Sequence, residues 1–164
     1  MPGQPAQESD PLRPTGAGPG TRGTTTARGA TPYSLRRVLL VDAANVIGSR
    51  PDGWWRDRPA AARRFVDRLR AAAVAGHLAP PVVVVLEGSA RAGVAAGDDS
   101  GVSVLHASGS GDDLLAELAG SCRSPVVLVS ADRELRRRVG AAGAGAVGPD
   151  WLYARIEGSP PAGS

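Results

Sequence analysis

Two observations in the sequence predict an α/β domain built on a single, mostly parallel sheet. First, three short runs of Val and Leu without polar alternation, at residues 38–41, 82–86 and 126–129, are typical of strands that are buried on both faces. Second, segments with helical spacing lie between the strands, which favours parallel pairing through right-handed crossovers. Such a sheet brings the carboxyl ends of its parallel strands to one edge, where open α/β folds bind their ligands.

Composition limits the kinds of protein this can be. Residues 1–34 are rich in Pro, Gly and Thr, so we expect a disordered tail there, a folded domain at 35–157 and a second disordered tail at 158–164. Cys122 is the only cysteine, which excludes an intramolecular disulfide. The sequence has neither an apolar run long enough for a membrane span nor a signal-peptide pattern, so we expect a cytoplasmic protein without a membrane partner.

The first half of the domain follows a strand, helix, strand pattern. The first strand stops at Asp42, and a loop is expected from Ile47 to Arg58. A helix should follow, with Asp57 as its cap, Pro59 in its first turn and a stop near Gly76. The second strand ends at 86, and residues 89–100 are small and polar, which predicts a loop or a weak helical turn. Residues 102–106 alternate in polarity, as in a strand near the sheet edge.

The second half repeats the pattern with shorter elements. The Gly-rich stretch 108–113 precedes a short Leu-rich helix, and Pro125 introduces the fourth strand. A helix that carries Leu135 and Val139 comes next, and residues 146–147 are predicted to form a small fifth strand. Near the end of the domain, apolar residues are expected to pack the chain back onto the core, namely Trp151, Leu152 and Ile156.

Acidic residues follow the buried strands and one helix start. Asp42, Glu87 and Asp132 come after three strands, and Asp112 and Asp113 open the helix between the third and fourth. These five carboxylates should therefore share one edge of the sheet. Carboxylates that are close together repel one another unless a cation lies between them, and hard oxygen ligands suit Mg²⁺ or Mn²⁺. Hydrolysis of a phosphodiester is the reaction that such a site serves most directly.

Four sequence motifs resemble those of the PIN-like nucleases, and among them the NYN family with its bacterial YacP-like members. They are LLVDAANVIG at 39–48, VVLEG at 84–88, GDD at 111–113 and VLVSADR at 127–133. The resemblance implies a three-layer α/β fold with strand order 3-2-1-4-5 and metal-dependent cleavage of RNA. It also implies that Asp42, Asp132, and Asp112 or Asp113 bind the metal. Three further residues would orient the ligands or water, namely Asn45, Glu87 and Ser130.

Two features depart from that family pattern. YacP-like proteins usually have Gly and an aromatic residue where this chain has Ala43-Ala44. They also tend to carry a long basic helical tail, whereas the folded part here is predicted to end near Glu157. The first departure bears on how RNA would stack beside the site, and the second bears on which RNA is bound.

A cluster of cationic and aromatic residues favours contact with RNA. Arg50, Trp54, Trp55 and Arg56 occupy the loop after the first strand, and Arg133 follows the fourth strand; together they could stack bases and hold phosphates. The net charge of +3 permits a polyanionic partner without requiring one. Alternatively, the tryptophans cap an exposed end of the sheet. Of Trp54 and Trp55, we expect one to be packed and the other exposed.

Several simpler interpretations stay open at the level of sequence. Asp42 with Asn45 could form only a turn, and Asp132 could be only a helix-terminal charge. Ser110 and Asp113 fit a capping box, which would leave Asp112 as the better metal ligand. In function, the main alternative is an inactive RNA-binding module of the same fold. A phosphohydrolase is a weaker alternative, because no Asp-x-Asp follows the first strand and the chain has no lysine.

Overall fold

A six-stranded sheet forms the centre of the chain in the computed structural model, which describes residues 36–158. The sheet order is β3-β4-β2-β1-β5-β6, and all neighbours are parallel except β3 and β4. The strands are β1 Val38–Asp42, β2 Val82–Leu86, β3 Gly97–Asp99, β4 Val102–His106, β5 Val126–Val129 and β6 Gly145–Val147. The tails predicted for residues 1–34 and 158–164 lie outside the described residues, except for Gly158.

Helices cover both faces of this sheet. They are α1 Ala43–Gly48, α2 Arg58–Val74, α3 Gly111–Ser121, α4 Arg133–Ala141 and α5 Pro149–Ile156, with two 3-10 helices at Trp54–Arg56 and Gly88–Gly93. Asp57 caps α2 by accepting a hydrogen bond from the Ala60 N–H at 3.0 Å, and Pro59 lies in the first turn, as predicted. No helix among residues 36–158 is long and apolar enough to span a membrane.

The α/β prediction is confirmed, and the sheet differs from the predicted one by a single strand. The five predicted strands occur in the order 3-2-1-4-5, but β3 adds an antiparallel sixth strand at the edge, in the stretch predicted to be a loop or helical turn. Positive φ angles at Ser100 and Gly101 form the tight turn that pairs β3 with β4. Since the Gly-Asp-Asp of β3 is exposed, it has no hydrophobic pattern from which a strand could be predicted.

The short helix α1 was not predicted either, because only a turn and a loop were expected after the first strand. Asp42 caps this helix by accepting a hydrogen bond from the Asn45 N–H. Ala43 and Ala44, both good helix formers, begin it. The helix therefore starts directly at the end of β1 and holds Asn45 beside the carboxyl edge of the sheet.

Alternate residues of β1 supply two separate cores. Leu39 and Val41 pack into the layer that contains α2 and α5, whereas Leu40 packs against α3 and α4. Leu152 of α5 is fully buried in the first layer, and Trp151 and Ile156 pack partly against it, which confirms the prediction for the chain end. A strand that buries both of its faces in this way occupies the middle of a parallel sheet.

Gly93 is expected to be essential for packing the second 3-10 helix against α2. A Cβ atom at this position would lie 2.0 Å from the Pro59 carbonyl oxygen, so the backbone must move to accept it. We expect Gly93→Ala to lower the free energy of unfolding by about 1–3 kcal/mol in urea denaturation. The control is Gly140→Ala in α4, where the added Cβ meets nothing within 4 Å and should be neutral or stabilising.

Candidate active site

Parallel pairing places the ends of three strands at one level of the sheet. Asp42, the last residue of β1, is in register with Val85 of β2, and its neighbour Val41 is in register with Val129 of β5. Glu87 and Ser130 therefore follow the flanking strands on either side of Asp42. As predicted, the first strand lies between the second and fourth predicted strands, so Asp42 is central.

The Asp42 carboxylate is buried and held by two hydrogen bonds. Only 6% of the residue is exposed. Its Oδ1 accepts from the Asn45 N–H at 3.2 Å, and its Oδ2 accepts from the Ser130 hydroxyl at 2.9 Å. The simple turn interpretation thus accounts for one oxygen, whereas the second is bound by a side chain 88 residues away.

Ser130 connects two of the acidic residues. Its side chain is fully buried; the hydroxyl donates to Asp42 and accepts from the Asp132 N–H at 3.1 Å. Asp132 in turn caps α4, since its Oδ1 accepts from the Leu135 N–H at 2.8 Å. Asn45 supports the same turn by accepting from the Ala131 N–H at 2.8 Å. Ser130 and Asn45 therefore orient the backbone and carboxylates at this edge of the sheet.

Glu87 joins the end of β2 to the start of α3. Its Oε2 accepts a hydrogen bond from the Gly111 N–H. A Cβ atom at Gly111 would lie 2.8 Å from the same oxygen, so a larger residue there would displace the Glu87 carboxylate from this position. Because Asp112 follows Gly111, the contact brings the Asp112 carboxylate to the edge that carries Asp42.

Burial and mutual repulsion raise the pKa values of Asp42 and Asp112. Burial is the largest cause; together with the charges of Asp112 and Glu87 it raises the pKa of Asp42 from 3.8 to about 6, against the hydrogen bonds from Ser130 and Asn45. The pKa of Asp112 is raised by burial first, and then by the charges of Asp132 and Glu87. The Asp112 carboxylate is thus within electrostatic reach of three others, those of Asp42, Glu87 and Asp132.

The chemistry of these four groups fits a hard divalent cation, which would relieve their repulsion. Their positions, however, do not yet form a metal-binding site. Among the described residues, no three His, Cys, Asp or Glu side chains are grouped closely enough to hold a metal ion. A metal at this edge would therefore require the carboxylate side chains to move closer together.

Asp113 has a different environment from its neighbour Asp112. Its Oδ1 accepts a hydrogen bond from the Arg138 guanidinium at 2.9 Å, and the side chain is largely exposed. The capping box predicted for this helix start does not form, because the Ser110 side chain makes no capping hydrogen bond. Of the two consecutive acids, the structure groups only Asp112 with the other carboxylates.

Some of the cationic and aromatic residues predicted to bind RNA are bound within the domain, and others are exposed to solvent. The Arg50 guanidinium pairs with Glu157 and lies 3.6 Å from the Tyr153 ring centroid, so it is already bound within the domain. Trp55 is 52% exposed, whereas Trp54 is half-buried, with its ring 3.6 Å from the position that a Cβ atom on Gly48 would take. Of the two tryptophans, Trp54 is therefore the packed one and Trp55 the exposed one. The side chains of Arg56 and Arg133 are exposed.

One arginine for which no role was predicted, Arg136, contacts the site. The Arg136 Nε donates to the Ser130 carbonyl oxygen, which fixes the turn after β5 from the other side. The signal was available in the spacing, because Arg136 follows Asp132 by four residues and so shares its face of α4. It was missed since the run Arg136 to Arg138 has the appearance of a solvated helix face.

Comparison with known proteins finds similarity in structure alone. No protein-family description matches the chain, and no curated protein sequence is significantly similar to it. Rae1 (YacP) from Bacillus subtilis superposes with a TM-score of 0.56 and 19% identity over 74% of each chain. A mutant of the same protein gives 0.57 and 20%, covering 74% of this chain and 76% of the other. The chain therefore has the fold of Rae1 (YacP), and the resemblance to YacP-like proteins is confirmed at the level of the fold.

Proposed function

We propose that this protein is a ribonuclease that hydrolyses RNA phosphodiester bonds with Mg²⁺ or Mn²⁺. The observation that carries the proposal is the set of four carboxylates at one sheet edge, with the buried Asp42 at its centre and a pKa of about 6. A fold without such a reaction has little reason to bury a carboxylate beside other acids, because the repulsion destabilises the folded state.

Within this proposal the residues have distinct roles. Asp42, Asp112 and Asp132 bind the ion, and Glu87 assists from the end of β2. When bound, the ion would lower the pKa of a water molecule and stabilise the charge of the phosphoryl transition state. The Ser130 hydroxyl holds Asp42 Oδ2 in place, and Asn45 holds the turn that carries Asp132. These two are positioning residues.

RNA as the substrate is supported by the fold and by the exposed groups. The fold is that of Rae1 (YacP), and the sequence motifs resemble a family whose members cleave RNA. Arg56 and Arg133 offer cations for phosphates, and Trp55 offers an exposed face on which a base can stack.

Two neighbouring acids provide a matched test. Asp112→Asn should lower Mn²⁺-stimulated cleavage of single-stranded or structured RNA by more than about tenfold, because it removes a proposed ligand. Asp113→Asn should retain the wild-type rate within about twofold, because it removes an ion pair whose partner, Arg138, is partly exposed. The measurement is the initial rate on labelled RNA with Mg²⁺, Mn²⁺ or EDTA. Equal rates for the two variants would contradict the assignment of Asp112.

A second candidate function is an RNA-binding module of the same fold without catalysis. The observation in its favour is that residues 36–158 contain no ready group of three metal-binding side chains. It predicts RNA binding that persists in EDTA and no cleavage with any divalent cation. Cleavage that requires Mg²⁺ or Mn²⁺ and is lost in Asp112→Asn excludes it.

A further inference from the structure

A cavity of about 340 Å³ opens beside the carboxylate cluster. Pockets for small organic ligands range from about 300 to 1,000 Å³, so this one has room for a single small ligand. We call it the Trp54 cavity. Its lining includes Ala43, Ala44, Trp54, Arg58, Leu86 and Glu87. It therefore lies between α1, the end of β2 and the start of α2, and Glu87 belongs both to the cavity and to the carboxylate cluster.

The walls combine apolar surface, planar groups and one hydrogen-bond acceptor. Ala43, Ala44 and Leu86 provide the apolar part. The Arg58 guanidinium lies over the Trp54 ring, 5.2 Å from its centroid, so the wall presents an aromatic ring and a cation together. Glu87 binds the Gly111 N–H through Oε2, and its Oε1 makes no hydrogen bond to any residue between 36 and 158.

These features match a flat ring with an amino group at its edge. Aromatic rings and guanidinium planes stack on unpaired nucleobases, and carboxylates accept hydrogen bonds from base amino groups. Adenine, cytosine and guanine carry such an amino group, whereas uracil does not. The small side chain of Ala44 matters here, because it leaves open the space that a large side chain on this exposed helix position would fill.

We propose that the Trp54 cavity binds one unpaired, amino-bearing base of the RNA, next to the phosphate at the carboxylate cluster. The proposal rests on the proposed function for the identity of the ligand as RNA. Since Glu87 borders both sites, the base and the reacting phosphate would belong to adjacent nucleotides. The cavity would then choose the position of cleavage by the identity of that base.

The proposal is tested by binding in EDTA, where no metal-dependent cleavage occurs. Short single-stranded RNAs in which each base in turn is removed are titrated with the full chain and followed by fluorescence anisotropy. We expect one position at which base removal weakens binding on the order of tenfold, the effect of losing one stacked base. RNA with uracil at that position should bind more weakly than RNA with adenine, cytosine or guanine there.

Three variants locate the effect. Ala44→Phe fills the cavity, and Trp54→Leu removes its aromatic wall; in both, the position-specific loss should shrink to less than about twofold, as expected when the stacking contact is absent. The control is Val74→Ala at the end of α2, which changes an exposed apolar side chain that does not line the cavity and should keep the position-specific loss. Circular dichroism checks that each variant is folded. If Ala44→Phe does not fold, Trp54→Leu alone tests the cavity.

Three results would overturn the proposal: no RNA binding in EDTA, equal losses at every position, or a position-specific loss that persists in both cavity variants. Each leaves the nuclease proposal standing if metal-dependent cleavage is observed. Conversely, a single-base effect without any cleavage supports the cavity and refutes the nuclease, so the two failures are distinguishable.

Discussion

Asp42→Asn should lower the rate of metal-dependent RNA cleavage by more than about 100-fold. Residues that only support metal ligands typically contribute about 10–100-fold, and Asp42 is proposed to be the central ligand itself. The amide matches the carboxylate in shape but lacks its charge, so the change removes affinity for the cation while the fold is kept. The measurement is the initial rate on the same labelled RNA with Mg²⁺ and with Mn²⁺.

The interpretation of that rate depends on two controls. RNA binding in EDTA should stay close to that of the wild type, because Asp42 is proposed to act on the RNA only through the metal ion, which EDTA removes. The far-ultraviolet circular dichroism spectrum should also be unchanged. If the folded variant cleaves RNA at the wild-type rate, Asp42 is not part of a catalytic site, and the RNA-binding module becomes the better description.

The same substitution should stabilise the metal-free protein by about 1–3 kcal/mol at about pH 8. Burial raises the pKa of Asp42 in the folded state from 3.8 to about 6, so ionisation costs the folded state free energy that the unfolded state does not lose. The asparagine side chain of the variant has no such cost. It can also accept from the Asn45 N–H and donate to the Ser130 hydroxyl, which keeps both contacts.

The pH dependence follows from the direction of this shift. Between about pH 4 and 7 the folded protein binds more protons at Asp42 than the unfolded chain does. The free energy of unfolding should therefore fall as the pH rises through this range in wild type, and fall less in Asp42→Asn. Urea denaturation in EDTA at about pH 5 and pH 8 measures the difference. Equal pH dependence in the two proteins would show that Asp42 is not the group responsible.

Divalent cations should make the wild type more stable than Asp42→Asn, the reverse of the order expected without metal. Binding to the folded state alone raises the melting temperature of the wild type, whereas the variant without the Asp42 charge should gain little. A thermal melt with and without Mn²⁺ reads out metal binding without any choice of substrate, so it tests the ion site even if the natural RNA differs from the one assayed.

Much of the architecture was predictable because its causes are local. The uninterrupted Val and Leu runs predict buried strands, and their alternation with helices predicts parallel pairing. Both predictions are confirmed, as is the position of the first predicted strand between the second and fourth. The strand β3 and the helix α1 were missed, since an exposed Gly-Asp-Asp and a six-residue helix carry too few apolar residues to show a period.

The candidate site was predictable as a set of residues and not as an arrangement. The ends of the predicted strands place Asp42, Glu87 and Asp132 at one edge of the sheet, and this placement does not depend on how their side chains are oriented. Sequence could not decide that Asp113 binds Arg138 while Asp112 approaches the other acids, because successive residues on a helix point about 100° apart and tertiary contacts set the helix rotation. Similarly, it could not tell the exposed Trp55 from the packed Trp54.

By itself, therefore, the sequence determined five of the six strands of the sheet, how these five pair, and that Asp42, Glu87 and Asp132 follow strands that end at one edge. Tertiary structure alone decided that Ser130 is buried against Asp42, that Gly111 lets α3 approach Glu87, and that Ala44 borders an open cavity. The physical reason is the distance along the chain over which each effect acts. Periodicity and strand ends act over a few residues, whereas the burial that raises the pKa of Asp42 and the space beside Glu87 depend on segments far apart in the chain.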